Sequence, residues 1–139
     1  HLHQALGVSL ATAGVLVMPF ALGGLVFALS TRTLLGRLGE LGLVRGGGAS
    51  MLVATTIVAF VPGAAFAAVA CFLMGLGFYM LHNTVQTNAT QMAPERRGAA
   101  VSAFAFSYFL GQSVGVSVVG WCASRTGLPT ALVTAGVGI

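Results

Sequence analysis

The amino-acid sequence predicts an all-α fold, a polytopic bundle of transmembrane helices, and three observations carry that prediction. Of its 139 residues 57% are apolar and only 6% are charged, where ordinary soluble domains carry about 25%. Three long stretches, Leu2 to Thr31, Gly46 to Pro94 and Gly98 to Ser124, hold no strongly ionising side chain. The charges that remain gather in the short connections between them. Six arginines and two glutamates cannot cover the water-facing shell that a soluble chain of this size needs. A soluble enzyme, a nucleic-acid module and a disordered linker are excluded on this ground. Collagen is excluded as well, because the 20 glycines and four prolines follow no Gly-X-Y period.

A helix crosses a bilayer with about 20 apolar residues, since each adds about 1.5 Å across a hydrocarbon layer of about 30 Å. The first predicted span covers about 9–31, and the connection 32–46 follows with Arg32, Arg37, Glu40 and Arg45. Gly46 to Pro94 is long enough for two spans, and Pro62-Gly63 stands where their turn is needed. These two spans are placed at 47–61 and 64–87. A second charged connection, 88–98, carries Glu95, Arg96 and Arg97, and a fourth span follows at 99–122. A fifth begins near Leu128 and reaches Ile139 too soon to cross. The first stretch is not a signal peptide, because no basic region precedes it and no cleavage-type sequence follows. With His1-Leu2-His3 at one end and an apolar run at the other, the chain is expected to be a fragment of a larger membrane protein.

Two spans separate the charged connections, so both are expected on one side of the membrane. Five of the six arginines lie there and only Arg125 lies opposite, which makes 32–46 and 88–98 cytoplasmic by the positive-inside rule. The net charge of +4 is then a topological signal. Nucleic-acid binding would need a basic stripe on one folded face, and none is present.

Within the spans, two patterns stand out. Small residues recur every fourth position at Ala99, Ala103, Ser107, Gly111 and Gly115, with shorter runs at Ala67, Cys71 and Gly75 and at Gly24 and Ala28. Lipid supplies no hydrophobic drive for helices to meet, so small residues that allow close backbone approach mark packing faces. The long run predicts such a face at Ala103, Ser107, Gly111 and Gly115. For the Gly24 and Ala28 pair, the general frequency of glycine in membrane helices is an equally good explanation. The second pattern is polar: Tyr79, His82, Asn83 and Gln86 share one helical face, and Tyr108 and Gln112 lie one turn apart on the next span. Polar groups facing hydrocarbon are costly. Each amide taken singly fits a structural hydrogen bond between helices, whereas the stripe as a whole points to a cavity.

No paired carboxylates, metal-ligand spacing, phosphate-cradling loop or activated nucleophile is visible. Catalysis, cofactors and bound metal are therefore not predicted. His82 is the one histidine in the spans, and it has no acidic neighbour in the sequence. Cys71 and Cys122 lie on different spans and indicate no disulfide framework. Asn88-Ala89-Thr90 fits the glycosylation triplet but falls on the cytoplasmic side.

The run from Asn88 to Ser102, with Ala93-Pro94-Glu95-Arg96-Arg97-Gly98 at its centre, resembles the loop between the tenth and eleventh helices of major facilitator superfamily transporters. Phe104 to Gly115 is similar to the eleventh helix of efflux-type bacterial members. The connection around Arg37-Leu38-Gly39-Glu40 looks like the second copy of the family's signature loop, usually Asp-Arg-x-Gly-Arg. Arg37 and Gly39 match that pattern, while Gly36 replaces the aspartate and Glu40 the second arginine.

The resemblance implies the partial carboxy-terminal six-helix half of a twelve-helix transporter, working by alternating access at a midplane site. It places the span 47–61 toward lipid and the spans 9–31, 64–87 and 99–122 toward the cavity. It implies a small-molecule substrate, a lipid surround and an amino-terminal half of the same transporter as partners. Tyr79, His82, Asn83, Gln86, Tyr108 and Gln112 are the expected substrate-path residues, with Phe78 and Phe104 as apolar neighbours. A wall of this kind suits a neutral or amphipathic solute, moved by efflux in antiport with protons across the bacterial inner membrane. Arg37, Gly39, Glu95, Arg96 and Arg97 are expected at the cytoplasmic gate or as topology determinants. A non-transporting scaffold, binding partner helices through its small-residue faces, is the alternative reading.

Overall fold

The computed structural model describes residues 9–60 and 63–137. They form α1 (Leu10–Phe60), α2 (Ala64–Gln91), a short 3-10 turn at Pro94–Arg96, α3 (Arg97–Thr126) and α4 (Leu128–Val137), with no strand among the described residues. The chain is an all-α bundle, and Val17–Phe60, Ala64–Gln91 and Pro94–Thr126 are long and apolar enough to cross a membrane.

The region 32–46, read as a connection between spans, is itself helical, and α1 breaks only at Gly39, where φ is 66° and ψ 178°. Charge keeps a segment out of hydrocarbon without preventing helix formation. Leucine, arginine and glutamate on either side of Gly39 are all good helix formers. Gly39 itself adopts a positive φ that costs glycine nothing and other residues a good deal. Of the expected Pro62-Gly63 turn, Pro62 lies outside the described residues and Gly63 has φ 141°. His1-Leu2-His3 and Ile139 also lie outside them.

Contacts along α2 show how the chain reverses at Gly39. In the arm 10–38, Gly23 lies against Phe72 and Leu76 and Gly24 against Tyr79, while Phe27 packs beside Met80, so this arm runs parallel to α2. In the arm 40–60, Glu40 meets Asn88 and Gly47 meets Gly77 and Leu81, so this arm runs antiparallel. The central helix α2 is thus held on two flanks. A side chain on Gly75 would strike the Phe20 carbonyl, and a Cβ on Gly77 would sit 2.6 Å from the Gly47 carbonyl oxygen. Those backbone approaches are what small residues make possible in a bilayer. Phe27, Leu43 and Met80 form the buried core, with Leu34 and Leu76 packed on it. Thr55 and Thr84, both buried, donate their hydroxyl hydrogens to carbonyls of their own helix, which meets the need for a partner in an apolar surround.

The amide of Asn88 donates to the Glu40 carboxylate at 3.1 Å, so the two charged connections lie at one end of the bundle. At the other end of α3, the Arg125 guanidinium stands 5.4 Å from the Trp121 ring centroid. An aromatic and a cation paired there fit a membrane interface. α4 packs against α1 and α3, with Ala131 buried. Cys71 and Cys122 are free thiols.

Candidate substrate cleft

α2 and α3 run antiparallel and meet through rings placed one helical turn apart on each helix, Phe78 and His82 on α2 against Phe104 and Tyr108 on α3. The His82 ring stacks on Phe78 at 5.2 Å and 13° and meets Tyr108 edge-on at 4.9 Å and 71°. Phe104 lies 5.5 Å from His82 and stacks on Tyr108 at 6.2 Å. Offset and edge-on arrangements match the ring quadrupoles. Phe20, 5.8 Å from Phe78, ties the cluster to α1. Around His82 Nδ1 the packing is tight enough to bury the atom, and it has no hydrogen-bond partner among the described residues.

Beside these rings opens a cleft of about 690 Å³, within the range of small-molecule sites. Of the six residues expected on the substrate path, His82, Tyr108 and Gln112 line it. Tyr79, Asn83 and Gln86 are not among its lining residues. The Tyr79 ring instead covers Gly24 and tilts against Phe20 at 6.2 Å, and the Asn83 amide donates to the Tyr79 carbonyl at 3.0 Å. A helix turns about 100° per residue, so a four-residue stripe is broad enough to divide between two neighbours. With α1 on one flank and α3 on the other, Tyr79 and Asn83 go one way and His82 the other.

Ser107 and Gly111, expected to pack helices, line the cleft as well. A side chain built on Gly111 or Gly115 would meet nothing within 4 Å among the described residues, and Ala103 is exposed. The cleft also takes in Met51, Leu81, Val85 and Val116, which the sequence reading missed. Apolar residues in apolar spans carry no signal that separates a cavity wall from a lipid face. Met51 comes from the arm that was expected to face lipid. At the charged end, Glu95 and Arg96 border a shallow hollow with Met92 and Pro94, and Arg37 and Arg97 are exposed.

Rings and aliphatic chains make up most of the cleft wall, with an imidazole, an amide and two hydroxyls as its polar points and no fixed charge. Such a surface orients an organic molecule by shape and a few hydrogen bonds. Helices long and apolar enough to cross a membrane, with a ring-lined cleft between two of them, define the class as integral membrane proteins. The sequence matches the family model of the Major Facilitator Superfamily over residues 1–138, and the chain belongs to that superfamily of membrane transporters. Comparison with curated proteins and with solved structures finds no match.

Proposed function

We propose that the chain supplies the carboxy-terminal half of a twelve-helix secondary transporter in the bacterial cytoplasmic membrane, exporting a neutral or amphipathic small organic solute in exchange for protons. The observation that carries this reading is the uncharged, ring-lined cleft between α2 and α3. A compact anion would call for an arginine at membrane depth, and the arginines lie in the connections and at the end of α3. In this reading His82, Tyr108 and Gln112 contact the solute, Phe78 and Phe104 form its apolar bed, and the amino-terminal half closes the cleft from the opposite side. Tyr79 and Asn83 sit on the α1 side of α2 and support the wall, and Gln86 is outside the cleft lining. The connections at Arg37 and at Glu95, Arg96 and Arg97 lie on the cytoplasmic side, where positive residues belong. The scaffold reading draws on the open small-residue face of α3; a cleft of this volume favours transport.

The test uses the full-length protein in inside-out vesicles, with a panel of uncharged aromatic dyes as probes. Dye accumulation should require an imposed proton gradient. In a background of Cys71→Ser and Cys122→Ser, Gln112→Cys should react with a water-soluble maleimide, and a transported dye should slow that reaction. Accumulation indifferent to the gradient removes proton antiport, and an unreactive Gln112→Cys removes the cleft as a water-accessible path.

A further inference from the structure

Arg32, Arg37, Arg45, Arg96 and Arg97 stand at the end of the bundle where the Asn88 amide meets Glu40. All five are exposed. Glu40 and Glu95 share that end, so five arginines against two glutamates leave it a surplus of three positive charges. At the opposite end the arginine is Arg125, which lies against the Trp121 ring.

The helical course of the connection sets the depth of these charges. Arg32 comes seven residues before the break at Gly39 and Arg45 six after it, and both positions are helical. At about 1.5 Å per residue, each lies about 10 Å along its arm from the break. The arms run in opposite directions, so the two arginines reach similar depth. One leaflet's headgroup layer is only about 5–8 Å thick, which sets Arg32 and Arg45 beside the lipid phosphates rather than out in bulk water. Leu35, Leu38 and Leu41, between them, are exposed as well. Arginine alternating with exposed leucine is the pattern of a segment seated in the membrane interface. The second connection reaches the same level, because the 30 residues of α3 span about 45 Å, the bilayer thickness with its headgroups. Arg97 is the first residue of that helix, and Arg96 closes the turn before it.

From this we infer that the arginine-bearing end is a binding surface for the anionic headgroups of phospholipids in the leaflet it contacts. Guanidinium forks match phosphate oxygens in pairs, and their long stems let the charge reach the headgroup while the chain stays in apolar surroundings. A zwitterionic lipid offers the same phosphate but carries its own cation, so the positive surplus selects lipids with net negative charge. The surface lies apart from the ring-lined cleft. It requires only that the helices cross a membrane and stands whether or not a solute is exported.

The experiment titrates the purified full-length protein, in a neutral detergent, with phosphatidylglycerol or with phosphatidylcholine of the same acyl chains, and counts bound lipid by native mass spectrometry. Phosphatidylglycerol should bind at least about tenfold more tightly. Salt at about 0.5 M should shrink that preference, because exposed charges are screened. Two pair variants, Arg32→Gln with Arg37→Gln and Arg96→Gln with Arg97→Gln, should each weaken phosphatidylglycerol binding about tenfold or more and leave phosphatidylcholine binding unchanged. Arg96→Lys with Arg97→Lys keeps the charge and should retain the preference. Arg125→Gln, at the opposite end, should bind like the wild type. Equal binding of the two lipids overturns the surface, as does full preference in either glutamine pair or an equal loss in Arg125→Gln. Inorganic phosphate that displaces phosphatidylglycerol at equal concentration overturns the lipid assignment in favour of a free anion.

Discussion

α1 and α2 on one side and α3 on the other are built from the same kinds of residue, yet they pack in opposite ways. Between α1 and α2, Gly23, Gly47, Gly75 and Gly77 bring backbone against backbone, and the core of Phe27, Leu43 and Met80 is sealed there. α3 has no buried residue. Its Gly111 and Gly115 face open space among the described residues, and Phe106 and Trp121 are 70% and 61% exposed. In lipid, an apolar side chain gains little by leaving hydrocarbon for protein, so close geometric fit decides which helices bind tightly. A glycine lowers the barrier to approach only where an opposing backbone is present. The tight pair forms a scaffold, and the cleft lies where the fit is interrupted by bulky rings.

The sharpest way to break this contrast is to add one carbon on each side of it. Gly75→Ala forces a methyl group into the Phe20 carbonyl and should cost about 3 kcal/mol or more, at the upper end of overpacking penalties. Loss of folded protein and a lowered unfolding midpoint in the full-length protein report it. Gly111→Ala should shift stability by less than about 1 kcal/mol, the scale of the helix-propensity gain. A loss at Gly111 equal to that at Gly75 would mean that α3 is packed as tightly as α2.

A smaller effect is expected inside the cleft. His82→Ala removes a ring that touches three others, each contact being worth about 0.5–1.5 kcal/mol. Apparent solute affinity should fall about tenfold. Asn83→Ala, on the α1 side of the same stripe, should change it by less than about twofold. Equal effects at the two positions would rejoin the stripe that the structure divides. The smallest effect belongs to the end of α3, where Arg125→Gln removes one exposed cation–π contact worth about 0.5–1 kcal/mol. Its midpoint should move only slightly.

Much of this architecture was legible from residue order. The charge-free stretches require membrane-crossing helices, and Pro94-Glu95-Arg96-Arg97 marks the break before α3. The weighting of the glycines was less legible. The run at Ala103, Ser107, Gly111 and Gly115 has the stronger pattern, yet Gly24, explained as well by background frequency, lies at a close contact with Tyr79. A periodic pattern records what a helix face can do, and the opposing surface is not written in it.

The sequence by itself determined the environment and the class of fold, because the cost of placing charge in hydrocarbon depends on residue identity alone. It also determined the membership in a transporter superfamily, which resides in residue order along the chain. Only the tertiary structure decided which flank of α2 each polar side chain joins. It alone carried helix through the charged connection to a single break at Gly39 and placed Met51 on the same cleft as His82. Those outcomes depend on the directions of three helices relative to one another, and residues far apart in the chain set them jointly.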